Sequence, residues 1–206
     1  MKCLIISGGE FSKVSLKNKY DLIIACDKGY LYAKKLKIKP NLVIGDFDSS
    51  KMPHTNASII IAPKEKDDTD TSLAVKYALA NKYKKIDIIC ALGNRIDHTI
   101  ANISLLKFIT EKGVKARILA DKVELFTAGT GLIKVEKKAS SYLSIFSLSD
   151  KSHISYIKGT KYDINNVILK NNFPLGVSNE FKNKYAYIKI DKGIVLISII
   201  KKERHK

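Results

Sequence analysis

The sequence has no tryptophan, only three cysteines, and only three arginines (Arg95, Arg117 and Arg204) among its 37 basic residues. Cys3, Cys26 and Cys90 lie too far apart for a C-x-x-C metal or redox motif, and each sits in or beside an apolar run. They read as buried, reduced thiols. No apolar run approaches the roughly 20 residues that cross a bilayer. Residues 1–7 enter a short strand-like run without a signal-peptide layout, which reads as a cytoplasmic chain. Acidic residues are scarce, 20 against 37 basic, for a formal charge of +17. Such a charge invites a nucleic-acid partner, but base readout and bidentate phosphate clamping favour arginine. The lysines are instead spread along the whole chain, so a nucleic-acid role is disfavoured and the charge serves to attract a small anionic substrate. The usual nucleotide and nucleophile devices are missing too. There is no G-x-x-x-x-G-K-[ST], no G-x-G-x-x-G after a strand and no G-x-S-x-G elbow. His54, His153 and His205 fall in no chemical motif.

What remains is an ordinary globular composition, 45% hydrophobic over 206 residues, enough for one sizeable core or two small ones. Short β-branched runs at 3–7, 21–26, 41–45, 58–62, 86–92 and 116–120 predict strands, with helices at 29–36, 70–81 and 97–112. The third helix is apolar nearly all round, which predicts that it is well buried. Continuous apolar strands alternating with helices imply a parallel sheet covered on both faces. After residue 120 the texture changes to strand candidates at 123–128, 132–136, 142–148, 164–169, 185–190 and 193–200, without a convincing helix. The expectation is an α/β parallel-sheet catalytic domain, 1–120, followed by a small all-β sandwich domain, 121–206. No flexible linker separates the two.

With so few carboxylates, their positions are informative. Asp27 follows the second strand, Asp46 and Asp48 the third, Asp67, Asp68 and Asp70 the fourth, and Asp97 the fifth. In a parallel sheet all these loops open on the edge outside the carboxyl ends of the strands, where ligands bind in open α/β folds. Converging aspartates repel one another unless a cation lies among them. Oxygen ligands without accompanying Cys or His suit Mg²⁺, which takes one or two carboxylates plus substrate phosphates. Asp67, Thr69 or Asp70 taken alone reads as a helix cap, and Asp67 and Asp70 would share a face of the first helical turn. Four such loops on one edge favour a metal–phosphate site. Phosphates would meet helix N-termini, Arg95 and Lys66.

These motifs in this order, Asp27-x-Gly29, Ile44-Gly45-Asp46-Phe47-Asp48-Ser49, Lys66-Asp67-Asp68-Thr69-Asp70 and Arg95-Ile96-Asp97-His98 with Asn102, resemble the thiamine pyrophosphokinase family. Gly176-Val177-Ser178-Asn179-Glu180-Phe181 is similar to that family's thiamine-binding loop. The resemblance implies an α/β catalytic domain and a β-sandwich domain, a homodimer with active sites at the subunit interface, and transfer of pyrophosphate from ATP to thiamine with Mg²⁺ and release of AMP. By resemblance Asp46, Asp48 and Asp70 match metal and phosphate positions, with Asp27 and Asp67 nearby. Gly93, Asn94, Arg95 and His98 match a nucleotide loop, and Ser178 and Asn179 the vitamin pocket. Lys28 and Asn94 stand where the family commonly has glycine, and without Trp a stacking platform for thiamine must be Tyr, Phe or aliphatic.

The expected chemistry is attack of thiamine's hydroxyl on the β-phosphorus of ATP, governed by in-line positioning and charge neutralisation. Arg95 would stabilise the moving group, and Asp70 or Asp97 would receive the proton. The rivals are a pyrophosphokinase for another heterocyclic alcohol such as a hydroxymethylpterin, a Mg²⁺-dependent phosphohydrolase, and a basic nucleic-acid-binding protein.

Overall fold

Four consecutive apolar residues, Cys3, Leu4, Ile5 and Ile6, are fully buried in the first strand, β1 (Lys2–Ile6). Because successive side chains alternate between faces, such a run needs cover on both. The computed structural model describes residues 1–16, 18–46, 55–63 and 67–203, and the chain divides into two units, Met1–Asp121 and Lys122–Lys206.

The first unit continues with β2 (Leu22–Cys26), α1 (Gly29–Lys35), β3 (Leu42–Gly45), β4 (Ser58–Ile61), α2 (Asp70–Ala80), β5 (Lys85–Ile89), α3 (Ile96–Glu111) and β6 (Lys115–Leu119). Its strands lie in the order β6-β5-β1-β2-β3-β4, and each neighbouring pair runs parallel. Tyr32 and Ala33 of α1 join Leu4 and Ile6 in one core cluster. On the other face, the Ser7 hydroxyl that follows β1 bonds to Thr71 of α2 at 2.7 Å. The fifth strand ends at Ile89, earlier than its apolar run implies, because Cys90 takes a left-handed backbone (φ +54°). The helix α3 is not the buried element its composition predicts. Ile96 and Ile100 are 63% and 59% exposed, and only Asn102, Leu106 and Ile109 are buried. It packs against α2 and β6, so one side alone is covered.

One polar network lies inside this unit. Asp87 on β5 is buried and accepts a fork from Arg117 on β6 (2.7 and 3.0 Å) and a hydrogen bond from the Tyr20 hydroxyl (2.6 Å). Burial first, and then the Asp87 carboxylate, pushes the Tyr20 hydroxyl well above its usual pKa.

In the second unit β7 (Val123–Ala128), β8 (Gly131–Glu136), β9 (Ser141–Ser147), β10 (Lys151–Lys158), β11 (Ile164–Lys170), β12 (Gly176–Glu180), β13 (Tyr185–Lys192) and β14 (Val195–Lys201) form two antiparallel groups, β12-β9-β14-β7 and β11-β10-β13-β8. Leu143, Ile145, Val195, Ile197 and Ile199 of one face Val135, Ile154, Ile157, Ala186, Ile188 and Ile190 of the other in a single core. Two strands here were absent from the sequence reading. In β10 the fully buried Ser152 interrupts the apolar alternation, its hydroxyl held by Ser147 (2.7 Å) and the Ile194 carbonyl (3.2 Å). Gly176–Glu180, likened by resemblance to a thiamine-binding loop, forms β12, an edge strand with a register shift between Gly176 and Asn179. Among the described residues no helix is long and apolar enough to cross a membrane.

The Asp87 network generates a stability prediction. Removing the carboxylate in Asp87→Ala takes away the buried acceptor shared by the Arg117 fork and the Tyr20 hydroxyl, and is expected to lower unfolding stability by about 2–3 kcal/mol. Urea denaturation of the two proteins measures this. A loss below about 0.5 kcal/mol would mean that the pair contributes no more than a surface bridge.

Candidate functional site

The loops at the carboxyl ends of the strands in the first unit are held together by backbone contacts. Asp27 leaves β2 in a left-handed conformation (φ +43°), and its N–H donates to the Ile44 carbonyl of β3 (2.8 Å). Gly45 sits directly against it. A Cβ on Gly45 would lie 3.2 Å from the Asp27 Cα, so this residue type lets the two loops close up. Gly29 opens α1 where a Cβ would fall 2.1 Å from the Ile6 carbonyl oxygen, seating the helix start on the end of β1. The Cys26 thiol donates to the Asp70 carbonyl at 3.5 Å, which brings the start of α2 beside the end of β2. Asp27, Asp46 and Asp70, all half-buried, therefore come from three neighbouring loops on one edge.

The start of α2 is capped by Thr69, whose hydroxyl accepts from the Ser72 N–H at 3.1 Å. Asp70 is the first helical residue and Asp67 precedes the cap, so the two do not share a helical turn as their spacing implied. Asp67 is exposed. Asp68 is held by the Lys76 ammonium (2.7 and 2.8 Å) and the Ser72 hydroxyl (3.0 Å), giving it a structural task. Asp48 and Lys66 lie outside the described residues, as do His54 and His205.

A second group forms around the loop after β5. The Gly9 and Glu10 N–H groups donate to the Cys90 and Leu92 carbonyls (both 2.9 Å), and the Glu10 carboxylate accepts from the Asn94 N–H (3.2 Å). Thr99 closes the loop through the Gly93 N–H (3.2 Å) and carbonyl (3.3 Å). Asn102 is buried beneath it and donates to the Ala91 carbonyl at 2.7 Å. Asn94, Arg95, Asp97 and His98 remain exposed. The Arg95 guanidinium grips Asp97 with two bonds (3.0 and 2.6 Å), and the His98 imidazole lies 4.0 Å from the same carboxylate. The Arg95 fork holds the Asp97 carboxyl down at about 2. Sequence reasoning overlooked the loop after β1 and its Glu10. The available signal was Gly8-Gly9 directly after a strand whose parallel neighbours all carry acidic loops.

The edge is rich in oxygen donors. Among the described residues, however, no three His, Cys, Asp or Glu side chains converge into a self-sufficient metal site. One or two carboxylates completed by substrate phosphates is the arrangement that suits Mg²⁺, so the donor set fits a metal that arrives with a nucleotide.

In the second unit Ser178 sits at the irregular part of β12 with φ +58°, a conformation costly for a residue with a Cβ, and its N–H donates to the Ser144 hydroxyl at 2.9 Å. The Asn179 amide is committed to backbone. It accepts from the Tyr162 and Glu180 N–H groups (3.1 and 2.8 Å) and donates to the Tyr162 carbonyl (2.8 Å).

Comparison with known proteins covers both units. A family model for the thiamin pyrophosphokinase catalytic domain matches residues 14–118, and one for the thiamin pyrophosphokinase vitamin B1 binding domain matches residues 131–195. The thiamine pyrophosphokinase of Bacillus subtilis (strain 168) is 27% identical over 204 residues, spanning 94% of this chain and 95% of its own. The crystal structure of a thiamine pyrophosphokinase from Bacillus subtilis superimposes with a TM-score of 0.89 at 26% identity, covering 98% of this chain and 100% of that one. A thiamin pyrophosphokinase family protein from Enterococcus faecalis does so with a TM-score of 0.86 at 28% identity, with the same coverages.

The Arg95–Asp97 pair sets a pH test. Its stabilisation is present above the ordinary carboxylate range near 3.9 and is lost as pH falls toward about 2. In a carboxyl-detected NMR titration, Arg95→Ala should raise the Asp97 midpoint toward its ordinary value near 3.9, with His98 still holding it slightly down. An unchanged midpoint would show that something other than the guanidinium holds it down.

Proposed function

The chain belongs to the thiamin pyrophosphokinase family, and from that premise we propose how its own residues move the pyrophosphoryl group of ATP onto the hydroxyl of thiamine, giving thiamine diphosphate and AMP. The observation that carries the reading is the gathering of Asp27, Asp46 and Asp70 on one strand edge by the contacts of Gly45 and Cys26. The match of the second unit to a vitamin B1 binding domain favours thiamine over a pterin alcohol.

In this reading residues 1–120 form an α/β parallel-sheet catalytic domain and residues 121–206 the thiamine-binding domain. Asp46, Asp48 and Asp70 would hold Mg²⁺, which when bound would supply charge neutralisation for the transfer. Asp27, Lys66, Asp67, Asn94, Arg95, His98 and Asn102 form the nucleotide side of the site, Asn102 from beneath by shaping the loop. Arg95 exchanges Asp97 for a phosphate, since both present the planar oxygen pair that a guanidinium fork fits. Asp70 or Asp97, the latter released from the fork once Arg95 turns to the phosphate, receives the thiamine hydroxyl proton. Ser178 and Asn179 mark the vitamin side. The enzyme works as a homodimer whose active sites lie at the subunit interface, each combining the phosphate edge of one protomer with the vitamin strand of the other. Three buried free cysteines suit the reducing cytoplasm.

Supplied with ATP, Mg²⁺ and thiamine, the protein should form thiamine diphosphate and AMP in equal amounts by phosphorus NMR. ADP with thiamine monophosphate would contradict attack at the β-phosphorus. Asp70→Asn should lower kcat roughly 100-fold, whereas Ser178→Ala should mainly raise the thiamine KM, by about 10-fold. Asp70→Asn protein, mixed and allowed to exchange subunits with a variant inactivated in the Ser178 strand, should regain part of the activity. Inactive heterodimers would argue against a shared site.

A further inference from the structure

We propose that the outer face of the sheet β11-β10-β13-β8 binds single-stranded nucleic acid, its tyrosines stacking on bases and its lysines meeting phosphates. This activity is separate from the pyrophosphokinase reaction. On β13 the side chains of Ala186, Ile188 and Ile190 are fully buried in the sandwich core, so Tyr185, Tyr187 and Lys189, which alternate with them, point outward. The ladder fixes what stands beside them. Tyr187 pairs with Lys158 of β10 on one side and with Lys134 of β8 on the other. In the next row Lys189 pairs with Tyr156 of β10 and Leu132 of β8. Residues opposite one another share a face at about 5 Å, so rings and ammonium groups are interleaved. Lysines that look scattered along the sequence are gathered here by strand pairing.

The rings present their flat faces, as stacking requires. The Lys134 Nζ lies over the Tyr185 ring at 3.7 Å from its centroid, and the Lys158 Nζ over Tyr156 at 5.1 Å. A base that stacks on such a ring takes the ammonium's place, and the flexible lysine stem carries the charge to the neighbouring phosphate. Tyr187, about 7 Å from Tyr185 along the strand, is 37% exposed. The carboxylates of β8 and β13 on this face stand at its two ends. Glu136 pairs with Tyr185, while Asp191 accepts from the Ser155 hydroxyl and lies 3.7 Å from the His153 ring. The two central rows across β10, β13 and β8 hold no acid. Base-specific readout favours arginine, and this sheet has none. Stacking needs none, because every base has a π face, so the binding is tolerant of sequence.

The test is fluorescence anisotropy of the full chain with fluorescein-labelled oligouridine and oligothymidine about 12 nucleotides long, and with a DNA duplex of equal length, over a range of salt. Binding of either single strand about 10-fold more tightly than the duplex supports the inference, and the tighter of the two distinguishes RNA from DNA. Tyr187→Leu should weaken single-strand binding about 10-fold, whereas Tyr187→Phe, which keeps the ring, should stay within about twofold. Lys134→Gln and Lys158→Gln together should lower the slope of log affinity against log salt by about 1.4. Thiamine diphosphate formation should be unchanged in every variant, which reports an intact fold and keeps this inference separate from the pyrophosphokinase reading. Equal affinity for duplex and single strands, undiminished in Tyr187→Leu, would mean that a chain of charge +17 attracts any polyanion, and would overturn the inference. So would the absence of binding at low salt. Displacement of the oligonucleotide by polyglutamate at equal charge would mark a docking face for an acidic protein instead, and would overturn it too.

Discussion

Backbone closely approaches backbone at the carboxyl edge of the first sheet, at Gly29 with no room for a Cβ, and the candidate site depends on that closeness. A Cβ on Gly29 would fall 2.1 Å from the Ile6 carbonyl oxygen and force the main chain to move, and one on Gly45 would lie tightly, 3.2 Å from the Asp27 Cα. These contacts set the loops that carry Asp27, Asp46 and Asp70 side by side on one edge, in a chain whose overall charge of +17 attracts anions from a distance. Local negative charge within global positive charge is a consistent design for a metal-bound nucleotide.

The opposite flank is built on another principle. Around Gly93–Arg95 the loop is fixed by Glu10, Thr99 and Asn102 through main-chain bonds, which leaves the Arg95 guanidinium as the outward-facing charge. Asp97 holds that guanidinium in a fork, so its direction is set by a side chain two residues along the same chain segment.

How much of this was legible beforehand depended on the kind of signal. Strands such as β1 and β3 announce themselves because burial on both faces demands unbroken apolar runs. The acidic loops after β2, β3 and β5 stood out because acids are rare in this chain. Glu10 did not, since its loop carries glycine where its neighbours carry aspartate. The exposure of Ile96 and Ile100 was hidden because composition cannot say that α3 is covered on one side only. Ser152 concealed β10, since a buried hydroxyl satisfied by Ser147 and the Ile194 carbonyl leaves no mark on an apolar periodicity. β12 was concealed by its own irregularity, and the same irregularity strains Ser178. The wiring of Asn179 to Tyr162 spans 17 residues and belongs to the sandwich, not to any motif.

The central claim is that the carboxyl edge of the first sheet receives the metal–nucleotide complex. It is tested most directly by adding ATP with Mn²⁺ in place of Mg²⁺ and recording paramagnetic broadening of assigned backbone amides in the full chain. The account predicts that the amides of Asp27–Gly29, Asp46, Asp70–Thr71 and Gly93–Arg95 broaden, and that an Asp46→Asn, Asp70→Asn protein loses the effect. Broadening centred elsewhere, for example on the lysines of the second unit, with the sheet edge unaffected, would contradict it.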